Sequence, residues 1–148
     1  GQSSTLFTPN DYAFSHGYLE VDDKTWMIFD VQACSDAHLA LAATSDDFSK
    51  NTYEIVIGGW SGTKSVIRDA RGGGVMAEAE TLDIVTCEEF RSFWVSWKNG
   101  LIEVGKGKTH GVGRFMFWTD PNAHVVKALS LATGWGSRGK WTLYHPIG

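Results

Sequence analysis

Two alternating runs meet across Lys98-Asn99-Gly100, and no other stretch constrains the fold as strongly. Phe93, Val95 and Trp97 alternate with Trp94 and Ser96, and Leu101-Ile102-Glu103-Val104-Gly105 follows the turn. A period of two is the signature of a strand with one face buried, and Asn-Gly supplies the positive φ that a tight hairpin needs. Residues 53–68 repeat the arrangement, with Ile55-Val56-Ile57 and Ser65-Val66-Ile67 on either side of Gly58-Gly59-Trp60-Ser61-Gly62. Residues 24–33 place Met27, Phe29 and Val31 on a core face. Residues 37–43 set Leu39 and Leu41 against His38, Ala40 and Ala42, which predicts His38 to be exposed or site-facing. Tyr12, Phe14, Tyr18 and Leu19 half-alternate, and residues 114–118, 124–133 and 140–145 read as further strands. The glycine-rich stretch 69–79 reads as a mobile connection, and residues 75–84 are the nearest approach to an amphipathic helix. About ten strands at short, regular spacing predict an all-β fold, an antiparallel β-sandwich of jelly-roll or lectin-like type. With 148 residues the chain is expected to be a single domain over residues 1–148.

Composition narrows the function classes. A net charge of −4 gives no basic footprint for nucleic acid, so no nucleic-acid partner is expected. The apolar runs are far shorter than the roughly 18 residues a membrane span needs, so no span is expected either. Gly1 stands where an initiator Met would, as expected of a processed or tagged N-terminus, removal of a secretory peptide being one source. Seven tryptophans and seventeen glycines against three prolines suit an all-β chain. They also suit carbohydrate recognition, because the apolar face of a pyranose stacks on indole. Cys34 and Cys87 are the only cysteines. They could form a bridge within the chain, remain separate thiols, or link two chains. An internal bridge would close a loop of about 50 residues, worth about 4 kcal/mol in the chain-entropy model.

Catalytic signatures are weak. No Gly-x-Ser-x-Gly elbow occurs, and the Gly72-Gly73-Gly74 tract lacks the helix start and Lys-Ser/Thr of a phosphate loop. Glu88 and Glu89 are adjacent on an expected strand and so point to opposite sides, unlike a glycosidase pair. A zinc site would have to gather His16, His38, His110, His124 and His145 by folding alone. Binding chemistry is better represented. Asp36 and His38, two apart at a strand start, can present a carboxylate and an imidazole on one face, where paired sugar hydroxyls would find an acceptor and a donor. Trp60 with Lys64 and Arg68, and Trp135 with Arg138, each place an aromatic beside cationic donors on a glycine turn. Of the two, Trp60 is the weaker stacking candidate, since its apolar flanking strands could draw it into the core. Asp36, Asp120 and Asn122 are candidate calcium ligands, although they form no contiguous motif.

Five segments then read together: Cys34-Ser-Asp-Ala-His-Leu-Ala-Leu41, the whole of residues 53–68, Cys87-Glu-Glu-Phe-Arg-Ser-Phe-Trp-Val-Ser-Trp97, Phe117-Trp-Thr-Asp-Pro121 and Thr133-Gly-Trp-Gly136. In that order they resemble the farnesoic acid O-methyltransferase-like domain, over nearly the whole chain after about residue 12. The family name implies methyl transfer. The residues argue otherwise, since an S-adenosylmethionine site of the usual kind needs a βαβ unit with a glycine loop, and none is legible; no S-adenosylmethionine is therefore expected. The resemblance and the tryptophan-rich β pattern together imply a secreted, extracellular, non-enzymatic lectin that recognises terminal galactose-like sugars on glycans. The expected ligand-binding residues are Asp36, His38, Trp60, Lys64, Arg68, Trp135 and Arg138, with calcium a candidate cofactor. Multivalent binding by such a site would require an oligomer, for which a homodimer is the expectation. A methyltransferase or hydrolase, and a protein-interaction module with both turn tryptophans buried, are the rival readings.

Overall fold

A computed structural model describes residues 3–144. The strands are β1 (Ser3–Thr8), β2 (Tyr18–Glu20), β3 (Trp26–Ala33), β4 (Ala37–Ala42), β5 (Thr52–Gly58), β6 (Lys64–Arg68), β7 (Val75–Glu80), β8 (Arg91–Ser96), β9 (Leu101–Lys106), β10 (Arg114–Thr119), β11 (Ala128–Ala132) and β12 (Gly139–Tyr144). They form two six-stranded sheets, ordered β1-β12-β3-β8-β9-β10 and β2-β11-β4-β5-β6-β7. Every strand pairing within them is antiparallel. The chain is a β-sandwich, and alternation decides which side chains lie between the sheets.

Met27, Phe29 and Val31 meet Leu39, Leu41, Tyr53, Ile55 and Ile57 across the gap, with Phe93, Val95, Ile102, Val104, Leu129, Leu131 and Trp141 completing the core. Asn99 adopts φ 55° in the short turn Lys98–Gly100 that joins β8 to β9, as the Asn-Gly signal requires. Tryptophan serves two ends. Trp94, Trp97 and Trp141 are buried plugs whose indole N–H groups donate to Val112 O, Lys24 O and Thr8 Oγ1 at 2.7, 3.0 and 3.0 Å. Trp94 packs so closely on β9 that only a residue without a Cβ fits at Gly105, where a Cβ would come within 2.2 Å of the indole.

Five local expectations are corrected. Residues 75–84 hold no helix, and residues 69–79 are more than a connection, because Val75–Glu80 pairs with β6 from Arg68↔Val75 to Lys64↔Glu80. Ala77 packs on the core while Glu78 and Glu80 face solvent, a period of two that the surrounding glycines obscure. In the 124–133 stretch only Ala128–Ala132 joins a ladder; His124 instead stacks on Tyr53 at 4.0 Å. Glu88 and Glu89 precede β8 in a bend, since Arg91 is the first residue paired with β3. Tyr12 and Phe14 are not in a strand; only Tyr18–Glu20 pairs, with β11. The expected last strand ends at Tyr144, and His145 lies outside the described residues.

The segment carrying Tyr12 and Phe14 positions the site. It crosses the outer face of the second sheet, where Ala40 and Ala132 are small enough to let Phe14 down against them. Ser130 Oγ donates to Gly17 O at 2.7 Å and Tyr12 N to Thr133 O at 2.9 Å, holding the crossing in place. The adjoining part of that face, formed by β4, β5 and β6, stays open. Cys34 and Cys87 form a disulfide within the chain, 53 residues apart, which ties the β3–β4 turn to the segment before β8.

Candidate functional site

Side chains that alternate away from the core make the floor of the open region. Glu54 and Val56 on β5 point opposite to Tyr53, Ile55 and Ile57, and the register His38↔Val56, Ala40↔Glu54 and Glu54↔Arg68 gathers three charged residues on one face. Three connections form the rim. The β3–β4 turn carries Ser35 and Asp36, the left-handed turn Gly59–Gly62 carries Trp60 and Ser61, and the β11–β12 loop carries Trp135. Together they enclose a pocket of about 250 Å³.

Glu54, wholly buried, is the hub. Its Oε2 accepts from Tyr12 Oη at 2.7 Å and His38 Nδ1 at 2.8 Å; its Oε1 accepts from the Gly72 N–H at 2.9 Å and Arg68 Nη1 at 3.1 Å. His38 Nε2 donates to Asp36 Oδ1 at 3.3 Å, and Asp36 Oδ2 accepts from Ser35 Oγ at 2.8 Å. Both imidazole nitrogens thus face acceptor-only carboxylates, which makes His38 an imidazolium. Burial on its own would lower the His38 pKa; hydrogen bonds to Asp36 and Glu54 and their negative charge outweigh it and raise it. Burial likewise works to raise the Glu54 pKa, and the bonds from His38, Gly72 and Tyr12 overcome it to bring the carboxyl down to about 2. The Tyr12 phenol is pushed up by burial and by its bond to Glu54.

Two large aromatic residues occupy left-handed backbone on the rim. Trp60 has φ 50° and ψ 55°, and Trp135 has φ 52°. That conformation is unfavourable for any bulky L-residue and is expected where structure holds a side chain for use. Trp135 is 64% exposed, while its ring stacks on His38 at 5.3 Å and 17° and touches Tyr12 at 4.7 Å. Trp60 is 43% exposed, with Lys64 Nζ 4.3 Å and Arg68 Cζ 5.5 Å from its ring centroid.

The pocket therefore collects Asp36, His38, Trp60, Arg68 and Trp135, with Lys64 beside Trp60. Trp60 is not drawn into the core, because its left-handed turn lifts it off the strand ends. His38 faces the pocket, as its place opposite the leucines predicts, but is only 1% exposed, held down by its two carboxylates and covered by Trp135. Arg138 is exposed and does not line the pocket. The calcium trio does not assemble. Asp120 is occupied by Tyr53 Oη at 2.8 Å and the Asn122 N–H at 2.8 Å, and Tyr53 faces the core side of β5, away from Asp36 and His38. Among the described residues no group of three His, Cys, Asp or Glu could hold a metal ion. Glu54 and Tyr12 escaped sequence reasoning. A carboxylate inside Tyr-Glu-Ile-Val-Ile was the available signal, since its alternation with Tyr53 and Ile55 puts it on the face shared with His38.

The family model described as "Farnesoic acid 0-methyl transferase" matches residues 8–147. "Uncharacterized protein 5" of Haliotis asinina is 34% identical over 113 residues, covering 76% of this chain and 65% of that protein, so the chain spans a little under two-thirds of that relative. Among solved structures, the Caenorhabditis elegans galectin LEC-6 is similar with a TM-score of 0.56 at 12% identity, covering 95% of this chain and 96% of that one. The Bacillus licheniformis beta-glucanase gives 0.56 at 10% identity, covering 98% and 78% respectively. These likenesses establish the sandwich fold, of which galectins and glucanases are both examples.

Proposed function

The chain belongs to the farnesoic acid O-methyl transferase family, and from that membership and the pocket's chemistry we propose that it is a non-catalytic carbohydrate-binding domain for terminal galactose-like sugars. The observation that carries the reading is the pair of exposed tryptophans, Trp60 and Trp135, held in strained backbone on the rim of one polar-floored pocket. An indole offers a flat apolar face to the C–H side of a pyranose, and Ser35, Ser61, Asp36 and Arg68 are placed to meet its hydroxyls. A volume of about 250 Å³ suits one or two sugar rings. The non-catalytic part of the reading is supported by Glu54, whose four donors and complete burial leave it no free lone pair to act as acid, base or nucleophile. The fold is equally unlike the parallel βαβ unit in which S-adenosylmethionine is usually held.

The reading extends to an extracellular protein, because a disulfide such as Cys34–Cys87 persists in oxidising compartments. Among the described residues no helix is long and apolar enough to cross a membrane. One shallow site per chain binds weakly, so agglutination would come from a dimer. Calcium enters only as a question for experiment, the three expected ligands being apart. Tryptophan fluorescence titrated with galactose, glucose and mannose, with and without a chelator, tests the proposal. Saturable change with galactose, weaker change with the other two, and loss of the response in Trp135→Ala are expected. No response to any sugar, or saturable micromolar binding of S-adenosylmethionine by calorimetry, would overturn it.

A further inference from the structure

We infer that the pocket takes a hexose bearing a carboxylate, a uronic acid, with Arg68 as the anchor for the acidic group and Lys64 as its second cation. The inference rests on the carbohydrate-binding reading and specifies its ligand class.

Charge in the pocket is distributed unevenly between what is buried and what a ligand can reach. Glu54 is enclosed with four donors, while Asp36 accepts one bond at each oxygen, from Ser35 and His38. The His38 imidazolium lies between them and offsets that charge internally. Arg68 and Lys64 are left partly exposed, at 17% and 31%, with Glu78 beside Lys64 at 51%. Lys64 has one acidic neighbour, Glu78 at 3.5 Å, and Arg68 shares Glu54 with His38. An incoming group therefore meets two partly exposed cations, each already facing one carboxylate of the protein, Arg68 with Glu54 and Lys64 with Glu78.

Arg68 is also under-used. Its one hydrogen bond runs from Nη1 to Glu54, and its Nε is buried with no partner among the described residues. A buried donor left unpaired is uncommon and points to a partner that arrives from outside. Guanidinium is a planar fork that matches the two coplanar oxygens of a carboxylate, whereas a tetrahedral sulfate or a single hydroxyl leaves part of it unmet. Arg68 Cζ and Lys64 Nζ lie over the Trp60 ring, 5.5 and 4.3 Å from its centroid, so both cations sit against the indole that forms this side of the rim.

The test is calorimetric titration of the full chain with D-galacturonic acid, its methyl ester, D-galactose and galactose 6-sulfate, at low and at moderate salt. Galacturonate is expected to bind at least tenfold more tightly than the ester or galactose, with the advantage shrinking in salt. Arg68→Gln should abolish the advantage and Arg68→Lys, which keeps a cation against Glu54, should retain part of it. Should Arg68→Gln unfold, Lys64→Gln reads the same preference from a more exposed position, with a smaller loss expected. Equal affinity for galacturonate, ester and galactose would overturn the inference while leaving the sugar-binding reading intact. Tighter binding of the sulfate would overturn the carboxylate assignment. Failure of all four ligands would remove both.

Discussion

Glu54→Gln is the sharpest test of the network beneath the pocket. The substitution keeps the shape of the side chain and removes its charge, leaving the His38 imidazolium and the Arg68 guanidinium facing an amide in a site sealed from water. Breaking one partner out of a buried charge pair costs about 3–5 kcal/mol. The titration of Glu54 gives an independent figure. Its pKa falls from 4.5 unfolded to about 2 folded, which corresponds to about 3 kcal/mol of stability. Because the folded pKa is depressed, that stability is present above the unfolded value and is lost as pH falls through the folded one. His38 has the opposite sign. Its raised pKa contributes stability that is complete below about 6.5 and is lost as pH rises through the folded value. Both shifts describe one interaction from its two ends, so they are not summed. At pH 5.5 both groups contribute in full, and urea unfolding there should show Glu54→Gln losing about 3 kcal/mol with an unchanged slope. At pH 3 roughly half of the wild-type advantage should be gone. A loss below about 1 kcal/mol at pH 5.5, or an equal loss at both pH values, would refute the hub.

Three further substitutions probe other parts of the fold. Gly105→Ala drives a methyl into the Trp94 indole, within 2.2 Å, and should lower stability by about 1–3 kcal/mol in thermal unfolding. Replacing both cysteines, Cys34→Ser with Cys87→Ser, should cost about 4 kcal/mol by urea unfolding and also weaken sugar binding, because the bridge immobilises the turn carrying Ser35 and Asp36. Trp60→Gly relieves left-handed strain of about 1–2 kcal/mol but adds glycine's unfolded-state entropy. Stability should therefore change by less than about 1 kcal/mol while ligand-induced fluorescence change falls sharply.

How much of this was legible depends on the range of the interaction that decides each feature. Strand pairing between neighbours is written locally: the period of two in Met27, Phe29 and Val31 and the Asn99-Gly100 turn required nothing beyond a few residues of context. Residues 75–84 misled because Ala and Glu are common in helices, and only pairing with β6 makes Val75–Glu80 a strand. At the site, Asp36 and His38 were visible as a local pair, and both tryptophan turns stood out through their glycines. That Trp60 and Trp135 share one pocket was not visible, since it follows from β4, β5 and β11 being neighbours in one sheet. Tyr12 reaches Glu54 across 42 positions of sequence, a contact no periodicity encodes. His38 was read as exposed or site-facing from its alternation with Leu39 and Leu41; it does face the pocket, and alternation could not show that Asp36 and Glu54 would hold it almost out of solvent.

The rim and the hub are parts of one device, and the two tryptophans depend on it differently. Trp60 has Lys64 and Arg68 against its ring. Trp135 leans on His38, whose charge is titratable. When His38 loses its proton, one nitrogen must face a carboxylate without a hydrogen between them. The 3.3 Å bond to Asp36 is longer than the 2.8 Å bond to Glu54, so the Asp36 side should yield first. Deprotonation would then free Asp36 at the pocket wall and strip the cation from beneath Trp135, weakening one stacking platform while leaving the other in place. Ligand affinity should accordingly fall as pH rises through the His38 transition, with the loss confined to contacts made by Trp135 and Asp36. Trp135→Ala, lacking the platform already, should show a flatter pH dependence than Trp60→Ala, and identical profiles for the two variants would mean that His38 supports the fold without governing the rim.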